Sequence, residues 1–157
     1  VVKAKNLDRE LLLKNAQKFL SQIKEVNQKK KENNLEVDDS LSLAKSRGSF
    51  LVYTFRSPDG EIKYNISIQV KDEKYRYQIN QFVFHRYTRN RYGRYEIDRW
   101  HSKHLEEAEF KGQQNNWEKH KATTLEKMNA LILDMKTAMT ALPQTAKKKK
   151  KKKVISW

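Results

Sequence analysis

Between Glu61 and Phe84 the chain reads EIKYNISIQVKDEKYRYQINQFVF, and apolar residues recur there at every second position. Ile62, Tyr64, Ile66, Ile68 and Val70 fall on one side of an extended chain, and Lys63, Asn65, Ser67 and Gln69 on the other. A second run repeats the alternation, with Tyr75, Tyr77, Ile79 and Val83 opposite Arg76, Gln78 and Asn80. A turn at Asp72-Glu73 sets Lys71 beside Lys74, Val70 beside Tyr75, Ile68 beside Tyr77 and Ile66 beside Ile79. Both apolar sets then share one face, and a slip of one residue would part them. Upstream, Phe50 to Phe55 reads as a third strand, with Ser57-Pro58-Asp59-Gly60 as the tight turn into the hairpin. Closing that turn pairs Phe55 with Ile62, Tyr53 with Tyr64 and Leu51 with Ile66. Leu51, Tyr53 and Phe55 are therefore expected on the apolar face, and Phe50 and Val52 on the polar one. Arg47-Gly48 interrupts the alternation before this strand, and Leu41 and Leu43 would share a side of a separate short one.

The period lengthens to that of a helix in two places. Leu12, Ala16, Phe19, Leu20 and Ile23 form a stripe, with Asp8 placed as N-cap and Leu7 and Leu12 as a hydrophobic staple. A second stripe runs through Trp117, Leu125, Met128, Leu131, Ile132, Met135 and Met139, the methionines reading as core fillers. Its start is expected near Asn115 or Asn116, since Asn115 and Glu118 have capping-box spacing, and Pro143 lies just past its end. Val1 to Lys5 alternates enough for a short strand. Two amphipathic helices bracketing such a sheet predict the α+β class: an antiparallel meander with both helices packed on one face. Residues 1–142 are expected to form a single domain and residues 143–157 a basic, disordered tail.

Charge changes this picture only at the end of the chain. Of 34 basic residues, seven form the run Lys147–Lys153, and setting them aside lowers the net charge from +15 to +8. A cationic balance suits acidic partners without choosing among nucleic acid, membrane surfaces and acidic proteins. With no cysteine, disulfides, thiolate metal sites and thiol nucleophiles are excluded. No apolar run approaches the roughly 18 residues that span a bilayer.

The segment from Tyr64 to Tyr77, YNISIQVKDEKYRY, resembles a family of exported proteins common in Bacteroidetes, classed as a domain of unknown function. The shared pattern is an alternating strand, then Val-Lys-Asp-x-Lys-Tyr-Arg-Tyr, then a second strand, with glycine usual where this chain has Glu73. The element order is similar too, and would extend the resemblance over roughly Val1 to Leu142. The resemblance implies a fold like one half of the TATA-box-binding protein. It also implies an exported protein of the periplasm or cell envelope, in keeping with a chain that starts at Val1 rather than at methionine. It supplies no catalytic residues, and the fold name alone does not license DNA binding.

Two surfaces stand out as candidates. The polar face of the hairpin offers Asn65, Ser67, Gln69, Arg76, Gln78 and Asn80, with Phe82 and Phe84 toward one end, as an interaction surface for a protein or glycan. The segment from His85 to His104 interleaves Arg86, Arg89, Arg91, Arg94 and Arg99 with Tyr87, Tyr92, Tyr95 and Trp100. That composition would suit single-stranded nucleic acid, helped by the lysine tail, but better fits an edge strand and loop whose arginines keep the edge from pairing. His101-x-x-His104 with Glu106 and Glu107 has helical ligand spacing without a third ligand or an H-E-x-x-H pattern, so no metal is assigned. No phosphate loop, nucleophile elbow or carboxylate constellation is present. The expectation is a non-enzymatic binding or interaction module with no cofactor; the alternative is a basic nucleic-acid-binding protein.

Overall fold

The hairpin forms as its alternation requires. In a computed structural model, β4 (Ser57–Lys71) and β5 (Lys74–Arg89) pair Lys71 with Lys74, Val70 with Tyr75, Ile68 with Tyr77 and Ile66 with Ile79. The structure describes residues 1–26, 28, 33–55, 57–105 and 114–142, the side chains of residues 99–101, 114 and 115 apart. Glu73 turns the hairpin with φ of 56°, a left-handed conformation that accounts for the glycine usual at this position. The turn is buttressed by the N-terminal segment: Arg9 N–H donates to Asp72 Oδ1 at 3.0 Å and Asn6 N–H to Glu73 Oε1 at 3.2 Å.

Among the described residues one antiparallel sheet of six strands has the order β1-β5-β4-β3-β2, with β6 also on β5. Here β1 is Val2–Lys3, β2 is Glu36–Asp38, β3 is Leu43–Thr54 and β6 is Tyr95–His104. Strands β1 and β6 share the outer edge of β5, β1 beside Lys74 and Tyr75 and β6 beside Val83 to Arg89. The α1 helix (Arg9–Ser21) starts where Asp8 Oδ1 accepts the Leu11 N–H at 2.8 Å, and Leu7 and Leu12 are both buried as the staple requires. Leu12, Ala16, Phe19, Leu20 and Ile23 pack with Met128, Met135 and Met139 of α2 (Gln114–Met139) over Ile66, Ile68, Val70 and Tyr75. Both helices thus cover one face of the sheet. Asn15 of α1 ties them together, its Nδ2 donating to the carbonyls of Met139 at 3.0 Å and Ala141 at 2.9 Å beyond the last turn of α2.

Strand β3 departs from the expected register. Phe50, not Phe55, lies opposite Ile62, Gly48 lies opposite Tyr64 and Ser46 opposite Ile66. The five-residue difference is odd, so the faces exchange. Val52 is buried and Phe50 packs inward, while Tyr53 and Phe55 are 53% and 97% exposed. Ser57-Pro58-Asp59-Gly60 belongs to β4 rather than to a turn. Pro58 sits beside the register shift between Val52 and Tyr53, an irregular stretch of ladder where a missing N–H is tolerated. Nor does Arg47-Gly48 break β3: a Cβ at Gly48 would stand 2.5 Å from Tyr64 Oη and 2.7 Å from Ile23 Cγ2, so those side chains fill the glycine's place.

A second correction falls in β5. Asn65 pairs with Asn80 but Lys63 with Val83, so Gln81 and Phe82 together face Tyr64. Gln81 has φ of 56°, and the extra residue reverses the facing of everything after it. Phe84, expected on the polar face, is 2% exposed beside Ile62, Val52, Leu105 and Trp117. Phe82 packs against this cluster and the main core, and Val83 lies across from Lys63 on the other face.

The N-terminal half of α2 closes this far end. Trp117 meets Phe84 edge-on at 5.7 Å, with Lys103 Nζ at 5.6 Å and Lys121 Nζ at 5.9 Å from its ring centre. His120, 3% exposed, stacks on Phe84 at 5.3 Å and meets Asp59 Oδ2 through Nε2 at 2.6 Å. Thr124 is buried below it, its hydroxyl returned to the His120 carbonyl at 2.8 Å. Leu125, expected on the packed stripe, is 65% exposed, because His120 and Thr124 occupy the inward positions. The helix begins at Gln114, so Asn115 lies inside it rather than at its cap. The tail 143–157, with its lysine run, lies outside the described residues.

Candidate functional site

The face of the sheet turned away from the helices is ordered in cross-strand rows. Leu43, Gln69 and Arg76 form one row, Lys45, Ser67 and Gln78 the next, and Arg47, Asn65 and Asn80 a third. Together they floor an open depression of about 820 Å³, rimmed by Asn34, Glu36, Leu41 and Gln81. All six polar residues singled out on the hairpin line it; Phe82 and Phe84 do not, having turned to the helix side at the bulge. Lys45 and Arg47 join the six on the floor, although the sequence does not mark them, because Gly48 interrupts the alternation of β3. Their alternation with Ala44, Ser46 and Gly48 was the available signal, obscured by the small size of those inward residues.

Hydrogen bonds pre-set part of this floor. Asn65 Nδ2 donates to Gln81 Oε1 at 2.6 Å, Arg76 Nε to Gln69 Oε1 at 2.8 Å, and Gln69 Nε2 to the Leu41 carbonyl at 3.2 Å. Only the Nε of Arg76 enters this bond, and a guanidinium carries two further nitrogens able to donate. Lys45, Arg47 and Arg76 against Glu36 give the depression a cationic balance among side-chain amides. The chemistry on offer is hydrogen bonding to a polar chain, with a preference for negative charge.

A family model described as a domain of unknown function with TBP-like fold, DUF4468, matches residues 1–85. Those residues are more than half of the chain and contain the whole YNISIQVKDEKYRY segment. The chain belongs to that family. No curated protein and no solved structure matches it. The DUF4468 match ends inside β5 rather than at Leu142, so the depression falls within the family residues while β6 and α2 lie beyond them.

Farther along the same face, the next two rows hold Ser49, Lys63 and Val83, then Leu51, Glu61 and His85. Glu61 is 1% exposed and is met by Lys63 Nζ at 3.6 Å, the Ser49 hydroxyl at 3.3 Å and the Tyr87 hydroxyl at 3.5 Å. Lys63 also reaches Glu25 at 3.8 Å, and Val26 N–H donates to Ser49 Oγ at 2.8 Å, which pins the chain leaving α1 around the β3 edge. Burial, and then the Lys63 charge, push the His85 imidazole below its ordinary value against the pull of Glu61 and Glu25. These groups are spent on one another.

The arginine- and tyrosine-rich segment is divided between β5, a turn and β6. Arg86 is half-buried opposite Gly60, whereas Arg89 is exposed with its guanidinium 5.1 Å from the Tyr95 ring centre. Arg91 and Arg94 flank the turn, and the side chain of Arg99 lies outside the described residues. The tip brings together Arg89, Arg91 and Arg94 of the five arginines. Tyr87 and Tyr95 lie tilted at 6.4 Å, and the Ser57 hydroxyl and Arg89 hold the Tyr95 phenol below its ordinary value. His101 and His104 lie on β6, a strand, so the convergence expected of helical spacing does not apply; Glu106 and Glu107 are outside the described residues. Among the described residues no group of three or more His, Asp or Glu could hold a metal ion.

Proposed function

We propose that this DUF4468 member is a non-enzymatic binding module of the cell envelope. Its recognition surface is the depression on the uncovered sheet face, and its ligand is a polar, acidic segment of a partner protein or a glycan bearing carboxylates. The observation that carries the reading is the convergence of Asn65, Ser67, Gln69, Arg76, Gln78 and Asn80, with Lys45 and Arg47, on one open volume of about 820 Å³. A row of side-chain amides can follow a polar chain with hydrogen bonds, and three cations select among such chains by charge. The envelope assignment rests on the family resemblance.

The test is titration of the ¹⁵N-labelled protein with a panel of acidic peptides and of neutral and uronic-acid oligosaccharides. A ligand of this site shifts the amides of Asn65 to Gln69 and Arg76 to Asn80. Arg76→Ala and Arg47→Ala each weaken it about tenfold at low salt, and Gln78→Ala less. Saturable binding that maps to any other surface, or no shift with any panel member at millimolar concentration, would sink the proposal. Envelope placement is checked separately by fractionating the native cells; recovery in the cytoplasmic fraction refutes it.

A further inference from the structure

The end of the sheet opposite the Asp72-Glu73 turn carries two hairpin tips side by side. One is the β3–β4 connection, where Phe55 is 97% exposed and Tyr53 53% exposed. The other is the β5–β6 turn, where Tyr92 is 81% exposed. The Ser57 hydroxyl lies close enough to the Tyr95 phenol to lower its pKa, so the start of β4 stands beside the second tip. Phe55 has φ of 55°, a conformation that bulky L-residues avoid, so its backbone is strained while its ring gains no contact.

The second tip is built to hold its shape. Asn90 closes it, accepting from the N–H groups of Tyr92 at 2.9 Å and Arg94 at 3.0 Å on Oδ1. Its own N–H donates to the Arg94 carbonyl at 2.9 Å, and its Nδ2 to Glu96 Oε1 at 2.8 Å. Tyr92 is thereby set at the crest between Arg91 and Arg94. From residue 86 to residue 96 four arginines stand against a single carboxylate, Glu96, which the Asn90 amide already engages.

We propose that these paired tips dock on an anionic membrane surface, Phe55 and Tyr92 entering the headgroup region and Arg89, Arg91 and Arg94 resting on lipid phosphates. Exposed aromatic rings at loop crests, ringed by arginines, match the interface in both apolar and charge terms. Single-stranded nucleic acid is the less favoured partner. It needs aromatic rings ranged along a groove, whereas Phe55 and Tyr92 stand on separate crests and Arg89 already covers Tyr95.

The full-length protein, lysine tail included, is tested with vesicles of phosphatidylcholine alone and of phosphatidylcholine with phosphatidylglycerol. A Phe55→Trp variant reports entry, its emission shifting to the blue and being quenched by brominated lipid on the anionic vesicles only. Phe55→Ser with Tyr92→Ser lowers sedimentation with those vesicles at least tenfold, and each of Arg91→Gln and Arg94→Gln lowers it about fivefold, while the melting temperature holds. The tail by itself gives sedimentation without the spectral shift, an outcome that overturns the proposal. It is equally overturned if no sedimentation occurs at 0.1 M salt. So too if the tip substitutions abolish binding of a labelled oligothymidylate and leave vesicle binding untouched.

Discussion

Toward the Asp72-Glu73 turn, strict alternation carries Ile66, Ile68, Val70, Tyr75, Tyr77 and Ile79 to the helix side, and every cross-strand neighbour follows from the turn. Beyond Gln81 the same strand also reaches an apolar core, through Phe82 and Phe84, but only because one residue has been added to it. The near end owes its register to a turn, the far end to a bulge. The difference teaches that a facing pattern is a running count, which a single left-handed residue resets for everything downstream.

Inserting one alanine after Gln81 breaks that count and has the largest expected effect, whereas deleting Gln81 would leave Asn80, Phe82, Val83 and Phe84 in plain alternation with their facings kept. On insertion Phe82 and Phe84 would turn to the polar face and expose their rings, costing more than about 4 kcal/mol, which urea denaturation would register as a chain largely unfolded in buffer. A stable insertion variant with the far-end cluster still packed would show that the bulge can widen without resetting the count. Trp117→Ala comes next, at roughly 3–5 kcal/mol, because it empties the far-end cluster. Amide exchange in this variant should speed first around Ile62 and Phe84 and only afterwards at Ile68; uniform acceleration would mean that the two ends open as one.

Tyr64, opposite the bulge, belongs to both ends and titrates accordingly. Burial pushes its phenol up to about 12 from 10.0. A raised folded value means the contribution is intact below about pH 10 and is lost as pH climbs toward 12, about 2–3 kcal/mol over that window. In Tyr64→Phe this alkaline slope should vanish from a series of denaturation curves. The far end has an acid counterpart in His85, whose folded value is lowered. Its contribution is present above its ordinary value of 6.5 and declines as pH falls below it; His85→Gln should flatten that part of the profile. The smallest effects are expected at the left-handed residues themselves. Gln81→Gly and Glu73→Gly each relieve a φ of 56°, and each is offset by a lost side-chain bond, leaving a gain of at most about 1 kcal/mol in thermal melts.

Much of the architecture was legible from the residues. The capped α1, the second helix, the meander and the one-sided covering follow from periods that tertiary contacts did not override. What the residues concealed was parity. Nothing in QINQFVF announces a bulge, since Gln81 is a side chain that normally avoids the left-handed region. Ser57-Pro58-Asp59-Gly60 has turn composition, yet the chain turns before it, beside a ladder irregularity that accommodates the proline. In the depression, six positions could be named because alternation fixes what a strand turns outward. Lys45 and Arg47 could not, because Gly48 leaves room for Tyr64 and Ile23, and neither it nor Ser46 carries an apolar signature. The pairing of Asp59 with His120 joins residues 61 positions apart and leaves no local mark at all.

Asn15, whose amide binds the carbonyls of Met139 and Ala141, has a consequence for the order in which the molecule is made. On the ribosome the family residues emerge first and can pair their strands beneath α1. The remaining shelter for the sheet arrives only with Met128, Met135 and Met139, some fifty residues after residue 85. Until Ala141 is in place the last turn of α2 has nothing to deliver to Asn15, and the main core lacks its three methionines. Native assembly therefore waits on Ala141, and a chain interrupted between residues 85 and 139 leaves its sheet without the cover that α2 brings.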